Sequence, residues 1–369
     1  MRCEYYNYVL ITIDRNLIMK LKRSLLFLIL FALTVSTLTS CGSCVSDKTS
    51  TGTKYDIMMI GDISGKEEPQ TLEDISWLAV KGFTEGTNQK YKYFAPSETE
   101  ISNRVETEKK QREEAKRLSY FTQIQLATTQ RNATKSMIVL PGEDCADTYF
   151  EYIVKDEKYD KNYNGIWFLL PGVSSVHQAA NVDNLAVKTV SLVVNENELG
   201  QLYGYTAVKC GYKAIGYLGS DSEYSKSFKA GIEEGIAKAK TELSISDISL
   251  TDDTSYDADA KTRAASLYET CDIVIPENGE FASALKESHG NKAFASIETA
   301  DSEAAFSYTV NASALAEVIQ NTLTKLSNIG EGKEVKTTGC ADGIWSFVGG
   351  TNTSFTEDSA KAFMDTFKK

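Results

Sequence analysis

The stretch TVSLVVNENELGQLYGYTAVKCGYKAIGYLGS, which runs from Thr189 to Ser220, has a clear alternation of apolar strands and an amphipathic helix. It predicts an apolar strand at 189–194, an amphipathic helix at 199–209 and a second apolar strand at 214–218. Short apolar strands that alternate with amphipathic helices form parallel sheets whose two faces are both covered by helices. The stretch therefore predicts an α/β protein.

The same alternation continues on both sides of this stretch. Upstream, strands are predicted at 55–60, 91–94, 136–140 and 165–170, and helices at 72–85, 102–129 and 147–154. Downstream, strands are predicted at 245–250, 272–275 and 292–297, and helices at 225–240, 258–268 and 281–289. Two successive runs of this kind predict two similar lobes.

The amino terminus has the features of a bacterial lipoprotein signal. A basic segment, KLKR at 20–23, precedes an apolar run at 25–33, and the tetrapeptide LTSC ends at Cys41. The apolar run has the usual length of a signal sequence and is short for a membrane span, which disfavours the alternative of a plain transmembrane anchor. We therefore expect Cys41 to be lipidated after cleavage of the signal peptide at 1–40.

Several boundaries follow from this expectation. Residues 41–53 become a lipid anchor with a small, polar and flexible tether, which attaches the protein to the extracytoplasmic face of the cell membrane. A complete signal begins at Met19, which is therefore an alternative translation start. The 329 residues that remain of 369 are enough for two domains with substantial cores.

The charge of the chain disfavours nucleic acid as a partner. The whole chain has 39 basic and 51 acidic side chains and a net charge of −12. The first 40 residues hold five basic and two acidic side chains, so the mature net charge is about −15. An acidic protein without a basic stripe is not typical of nucleic-acid binding, and we expect a monomer that binds a small molecule.

Cysteine and histidine usage predicts neither a metal site nor a cofactor. Cys41 and Cys44 have C-x-x-C spacing, but there is no second such pair and the two histidines show no ligand spacing. The remaining cysteines are expected to be isolated buried thiols, and they are Cys145, Cys210, Cys271 and Cys340. Hydrolase, metalloprotease and P-loop motifs are also missing, so we do not expect an enzyme.

Polar residues follow the predicted strands at their carboxyl ends, where open α/β sheets bind ligands. The candidates are Asp62, Ser64, Glu143, Asp144, Asn278 and Glu298. Such a carboxylate-rich group suits a neutral polyhydroxyl ligand, such as a sugar or a nucleoside, because hydroxyl groups donate to carboxylates. The alternative is that these residues only cap helices, which is a common use of polar residues at such positions.

Three segments in the middle of the chain resemble the basic membrane protein family, whose members are substrate-binding lipoproteins of ABC importers and include the purine nucleoside receptor. The segments are VSLVVNENELGQLYGYTAV at 190–208, GYKAIGYLG at 211–219 and SFKAGIEEG at 227–235. The resemblance implies a type I periplasmic-binding-protein fold, with two Rossmann-like lobes and a ligand cleft between them. It further implies that the chain crosses between the lobes three times.

The resemblance also carries expectations for particular residues. Phe228 matches the family's phenylalanine that stacks on the nucleobase, and Asp62 matches the aspartate after the first strand. The family's S-F-N motif has no clean match here, and its Asp-Gly-Gly loop is replaced by Asp62-Ile-Ser-Gly65. The lobes are expected at 54–194 with 304–333 and at 195–298 with 334–369, hinged near Val194 and Glu298.

Two functions remain in competition. The first is an extracytoplasmic solute-binding lipoprotein that captures a small polar ligand, such as a nucleoside, for an ABC permease. The second is a ligand-sensing, structural or adhesin lipoprotein that keeps the binding-protein fold without a permease. Export and the missing helix-turn-helix motif exclude a ligand-responsive repressor of the same fold.

Overall fold

Two six-stranded sheets form the body of the chain in the computed structural model. The structure describes residues 53–61, 71–96, 109–132, 135–156, 158–174, 178, 186, 188–255, 258–297, 300–328 and 332–368. Residues 1–52, with the predicted signal peptide and Cys41, lie outside the described residues, and so do Asp62, Ser64 and Glu298.

The strands are short and mostly buried, as expected for parallel strands between layers of helices. They are β1 (Ile57–Ile60), β2 (Tyr91–Phe94), β3 (Ser136–Val139), β4 (Ile166–Ser174), β5 (Thr189–Val194), β6 (Ala214–Leu218), β7 (Ser249–Asp253), β8 (Ile273–Pro276), β9 (Ala293–Ile297), β10 (Phe306–Val310), β11 (Lys333–Thr338) and β12 (Trp345–Gly349). The first sheet has the order β11-β5-β4-β3-β1-β2 and is parallel throughout. The second has the order β12-β10-β9-β8-β6-β7, and only β12 runs antiparallel.

Most helices lie between one strand and the next along the chain. They are α1 (Leu72–Thr87), α2 (Lys109–Thr129), α3 (Gly142–Thr148), α4 (Tyr159–Asn162), α5 (Glu196–Lys209), α6 (Glu223–Leu243), α7 (Ala260–Thr270), α8 (Gly279–Ser288), α9 (Ala312–Asn328) and α10 (Glu357–Met364), with a π-helical turn at Tyr149–Ile153 and 3₁₀ turns at Cys340–Asp342 and Asp365–Phe367. No helix within the described ranges combines the length and the apolar composition that a bilayer span requires.

Two of the predicted lobe boundaries need correction near the carboxyl terminus. Strand β10 belongs to the second sheet, because it pairs with β9 from Phe306 opposite Ala295, whereas the predicted boundary assigned residues 304–310 to the first lobe. Strand β11 belongs to the first sheet, because it pairs with β5 along its whole length, although residues 334–338 were assigned to the second lobe. The chain therefore passes between the sheets after β5, after β10 and after β11.

Edge strand β7 lies further along the chain than predicted. The prediction followed the apolar residues at 245–250, whereas the strand observed is Ser249–Asp253. Its pairing with β6 sets this register, with Ser249 opposite Ala214. Because β7 is an edge strand with partly exposed side chains, it accepts aspartates that a central strand would exclude.

Helices α5 and α6 pack against each other through glycines. Glycines at 200 and 204 in α5 face glycines at 231 and 235 in α6. A Cβ atom added at Gly231 would overlap the carbonyl oxygen of Asn197 and lie 2.8 Å from its carbonyl carbon. A Cβ atom added at Gly204 would overlap the carbonyl oxygen of Ile232. The two backbones are therefore in direct contact, with no room for a side chain between them.

The four cysteines of the folded unit are buried and are not disulfide-bonded, which agrees with the predicted isolated thiols. Burial raises the pKa of the Cys210 thiol to about 12 and raises the pKa of Cys145 well above its usual value. We expect these four thiols to resist a thiol reagent at neutral pH in native protein and to react rapidly in denaturant, as measured by mass spectrometry. Fast labelling of Cys210 in folded protein would contradict its position in the core.

Candidate functional site

A cavity of about 500 Å³ lies at the carboxyl ends of strands from both sheets. Its lining comes from β4, β5, β10 and β12 and from the first turns of α1, α3, α6 and α9. The lining residues are Leu72, Glu143, Gly172, Ser174, Val194, Glu223, Tyr224, Val310, Leu315, Ile344 and Trp345. Two other cavities, of about 460 and 480 Å³, adjoin edge strand β7 and are lined by the second lobe alone. The first cavity is therefore the candidate ligand cleft, and it has the place and size typical of a small-molecule site.

Two aromatic side chains line the cleft. Tyr224 lies in the first turn of α6, directly after the carboxyl end of β6. Trp345 begins β12, opposite Val310 at the end of β10, and is 8% exposed. Its indole N–H has no hydrogen-bond acceptor among the described residues. Aromatic faces of this kind favour a flat or apolar part of a ligand.

Glu143 contributes a carboxylate to the lining of the same cleft. The Oε1 atom of Glu143 accepts a hydrogen bond from the backbone N–H of Ser174 at 2.7 Å. This bond connects the first turn of α3 to the carboxyl end of β4. It gives the Glu143 side chain a defined position from which it can accept a bond from a ligand hydroxyl or amine.

Two proline–glycine turns, at 141–142 and 171–172, lie beside Glu143 and Leu72 at the cleft. Gly142 and Gly172 have φ angles of +82° and +79°, in the left-handed region that favours glycine. A Cβ atom on Gly172 would overlap the side chain of Leu72, which lines the cleft beside it. Glycine at 172 therefore permits the close approach of α1 to β4.

More carboxylates occupy the first turns of the helices at this edge. Burial raises the pKa of Glu73, and the nearby charges of Asp144 and Asp74 add to that rise. Asp144 forms an ion pair with Lys116 and is half exposed. Carboxylates at these positions are stabilised by the partial positive charge of a helix amino terminus. This edge of the first sheet is therefore predominantly acidic.

Phe228 does not line the cleft, contrary to the sequence-based expectation. Its side chain is fully buried, with ring centroids 5.8 Å from Tyr203 and 5.9 Å from Tyr217. The ring of Tyr224 lies parallel to it at 6.3 Å, one helical turn nearer to the cleft. Residues four positions apart lie on the same helix face, so Tyr224 and Phe228 point to the same side of α6. Tyr224 lines the cleft, and the sequence analysis did not predict it.

The other predicted site residues have different outcomes. Glu143 lines the cleft. Asp144 is not part of the lining and pairs with Lys116 instead. Asn278 caps α8, because its Oδ1 atom accepts the backbone N–H of Phe281 at 3.1 Å, as in the alternative that assigned capping roles. The described lining is also mostly apolar, whereas the predicted set was rich in carboxylates.

A buried glutamate that was not predicted supports the turn before α6. Glu277 is 7% exposed and follows β8 directly. Its carboxylate accepts the Ser220 hydroxyl at 2.9 Å and the Ser222 hydroxyl at 3.4 Å. Ser222 also caps α6 by accepting the backbone N–H of Ser225 at 3.0 Å. Glu277 thereby positions the helix turn that presents Tyr224, and its place at a strand end was the signal available in the sequence.

Solved structures of known proteins share this architecture. A solute-binding protein of an ABC transporter system from Conexibacter woesei matches with a TM-score of 0.55 and 13% identity, over 85% of this chain and 94% of that chain. A second such protein, from Aeropyrum pernix, matches with a TM-score of 0.50 and 12% identity, over 85% of each chain. A transcriptional activator of the comK gene from Bacillus halodurans matches with a TM-score of 0.53 and 11% identity, over 84% of this chain and 95% of that chain.

These identities establish the fold alone. The chain has the type I periplasmic-binding-protein fold, which confirms the fold class expected from the sequence. No protein-family profile matches the sequence, and a comparison with curated proteins returns no match.

Proposed function

We propose that the protein is a lipid-anchored, extracytoplasmic solute-binding protein that captures a small ligand for an ABC importer. The observation that carries the proposal is the cleft at the carboxyl ends of both sheets, with Tyr224, Trp345 and Glu143 in its lining. The lipobox at Cys41 and the resemblance to the basic membrane protein family support the same role.

The composition of the cleft favours a ligand with a flat ring and hydrogen-bond donors. Tyr224 and Trp345 offer aromatic faces to a ring, and Glu143 offers a carboxylate oxygen to hydroxyl groups. A plain sugar would use the carboxylate but would cover less of the apolar wall that Leu72, Val310 and other residues form. We therefore propose a nucleoside or a related aromatic metabolite as the ligand class.

A protein that binds a ligand and releases it needs no catalytic groups in its cleft. The lining residues contain no histidine, cysteine or lysine, and no group of three or more potential metal ligands occurs in the part of the chain that the structure describes. A protein that hands its ligand to a permease needs only complementarity and reversible closure, so we propose a binding protein rather than an enzyme.

The ligand proposal predicts a specific effect at Tyr224. Tyr224→Ala should weaken nucleoside binding about tenfold, which corresponds to ~1.4 kcal/mol, because the base loses its stacking surface. Tyr224→Phe keeps that surface and should bind within about twofold of wild type. Isothermal calorimetry with a panel of nucleosides, bases and sugars measures both variants.

The same panel distinguishes a nucleoside ligand, a sugar ligand and a lipoprotein that binds neither. Nucleoside binding that Tyr224→Ala leaves unchanged would remove Tyr224 from the site. Binding of sugars alone would keep the solute-binding role and discard the nucleoside. If no polar metabolite binds, the proposed receptor is wrong and the sensing or adhesin lipoprotein becomes the better description.

A further inference from the structure

Lysines cluster at the amino edge of the first sheet, which is the edge opposite the ligand cleft. Five of its six strands begin with a lysine or follow one within three residues. These residues, called the lysine edge below, are Lys54, Lys90, Lys135, Lys188 and Lys333. The starts of parallel strands lie along one edge of a sheet, so these lysines share that edge of the first lobe. Strand β4 has no such lysine, but Lys135 and Lys188 on its two sides both lie over the ring of its Trp167.

Two of these lysines, Lys54 and Lys135, have local partners that leave their charge in place. The Nζ atom of Lys54 donates to the carbonyl oxygen of Thr129 at 2.8 Å, at the end of α2. Lys135 donates to the carbonyl oxygen of Ser327 in the last turn of α9, and its Nζ atom lies 4.4 Å from the ring centroid of Trp167. Helices that connect parallel strands end at this edge, where their carbonyl groups attract cations. A carbonyl or a ring holds an ammonium group without neutralising it.

Basic side chains outnumber acidic ones at this edge. The basic residues described there are Lys54, Lys90, Arg131, Lys135, Lys158, Lys161, Lys188, Lys325 and Lys333. The acidic residues described there are Asp56, Glu85, Asp156 and Glu334. Glu157, Asp160 and Glu331 adjoin these segments in the sequence, and the basic residues remain in excess when they are counted. A positive edge is notable in a mature protein with a net charge of about −15.

The second sheet has no comparable excess at its own amino edge, as far as the structure describes it. Lys213, before β6, pairs with Asp247. Lys292, before β9, lies 3.8 Å from a carboxylate oxygen of Asp272, which precedes β8. In the first lobe Lys325 also lies 3.7 Å from a carboxylate oxygen of Glu334, but its basic residues remain in excess, whereas Lys213 and Lys292 of the second lobe are each matched by an aspartate. Helix termini alone do not explain the difference, because helices end at both edges.

The charged edge is also where the folded unit begins. Lys54 is the first residue of the compact unit Lys54–Lys369. It lies thirteen positions after Cys41, the proposed site of lipidation. Fully extended, such a segment spans at most ~45 Å, which limits how far Lys54 can lie from the anchor.

We propose that the lysine edge binds the head groups of anionic phospholipids, so that the first lobe rests on the membrane beside its own lipid anchor. The acidic cleft edge, with Glu73 and Glu143, then faces away from the anionic surface. Basic residues near a membrane act within about 10 Å of its charge at moderate salt. The geometry rests on the proposed anchor at Cys41, whereas the attraction between the lysine edge and an anionic surface does not.

Chemical labelling of lysines tests this orientation in the mature, lipidated protein. The protein is reconstituted into vesicles of phosphatidylcholine alone or with about 30% phosphatidylglycerol, and amine acylation is quantified by mass spectrometry. Lys54, Lys90 and Lys333 are exposed and report on the lysine edge, while Lys213 and Lys292 are internal controls in the same molecule. In anionic vesicles we expect about fivefold slower acylation at the lysine edge and no change at the controls. Salt at about 0.5 M should abolish the protection.

Each alternative outcome has a distinct meaning. Equal acylation of the lysine edge in neutral and anionic vesicles would overturn the proposal, as would equal protection of both sets of lysines. Protection that persists at high salt would indicate burial in a protein contact and would also overturn it. The proposed anchor is tested separately by flotation before any labelling. A protein without the anchor does not float with neutral vesicles.

Discussion

Gly231→Ala is expected to destabilise the second lobe by about 3 kcal/mol or more. The added Cβ atom would overlap the carbonyl oxygen of Asn197 and lie 3.0 Å from the backbone nitrogen of Gln201. Both are backbone atoms of α5, so no side-chain rotation relieves the clash and the two helices must separate. Because native proteins are stable by only about 5–15 kcal/mol, this loss should lower the urea midpoint markedly.

Gly86→Ala is the matched control for this prediction. Gly86 also lies in a helix, in the last turn of α1, but a Cβ atom added there meets no atom within 4 Å. Alanine there should cost no stability, and its better helix propensity should add at most about 0.5 kcal/mol so near the helix end. Urea unfolding followed by circular dichroism compares the two variants. An unchanged midpoint for Gly231→Ala would mean that α5 and α6 do not pack with their backbones in contact.

Cys41→Ala is expected to abolish lipidation completely and with it the stable attachment of the mature protein to the membrane. Each buried methylene of an acyl chain contributes ~0.8 kcal/mol to membrane binding, and a protein without this cysteine has no site for the thioether. The variant should accumulate as an unprocessed precursor or appear in the soluble fraction. Metabolic labelling with a fatty acid and fractionation of cells measure both effects.

Cys44→Ala separates lipidation from any role of the C-x-x-C pair. Cys44 lies three residues after Cys41 and outside the tetrapeptide LTSC. Its replacement should leave fatty-acid labelling and membrane attachment at wild-type levels. If Cys41→Ala still incorporates the fatty acid and migrates as wild type does, the lipobox interpretation is wrong and the transmembrane alternative must be reconsidered.

The sequence predicted the fold well where apolar periodicity was strong. Strands β2 and β5 match their predicted bounds, because their ends coincide with clear changes in composition. The prediction was weaker near the carboxyl terminus. Strand β11, KEVKTT, looks polar because it is an edge strand with alternating exposed residues, and its neighbour β5 is 139 or more residues away in the sequence. Only pairing with β5 identifies it as part of the first sheet.

The sequence predicted where the candidate site lies, at the carboxyl ends of the strands, but not most of the residues that line it. Glu143 was found because it follows a strand end, and that position is a property of parallel sheets. Phe228 and Tyr224 lie one turn apart on the same helix, and the sequence does not show how deep the helix sits against the sheet. The tertiary packing of α6 on Tyr203 and Tyr217 buries Phe228 and leaves Tyr224 at the cleft.

Local periodicity was enough to predict the α/β class, the alternation of strands and helices and the edge at which a ligand site is expected. The sheets that β10 and β11 join and the side chains that reach the cleft became known only from the three-dimensional structure. It also placed five lysines, four before their strands and Lys333 at the start of β11, along one edge of the first sheet. Sheet membership and side-chain burial depend on partners far away in the chain, and no local pattern specifies which distant residue will occupy a neighbouring position.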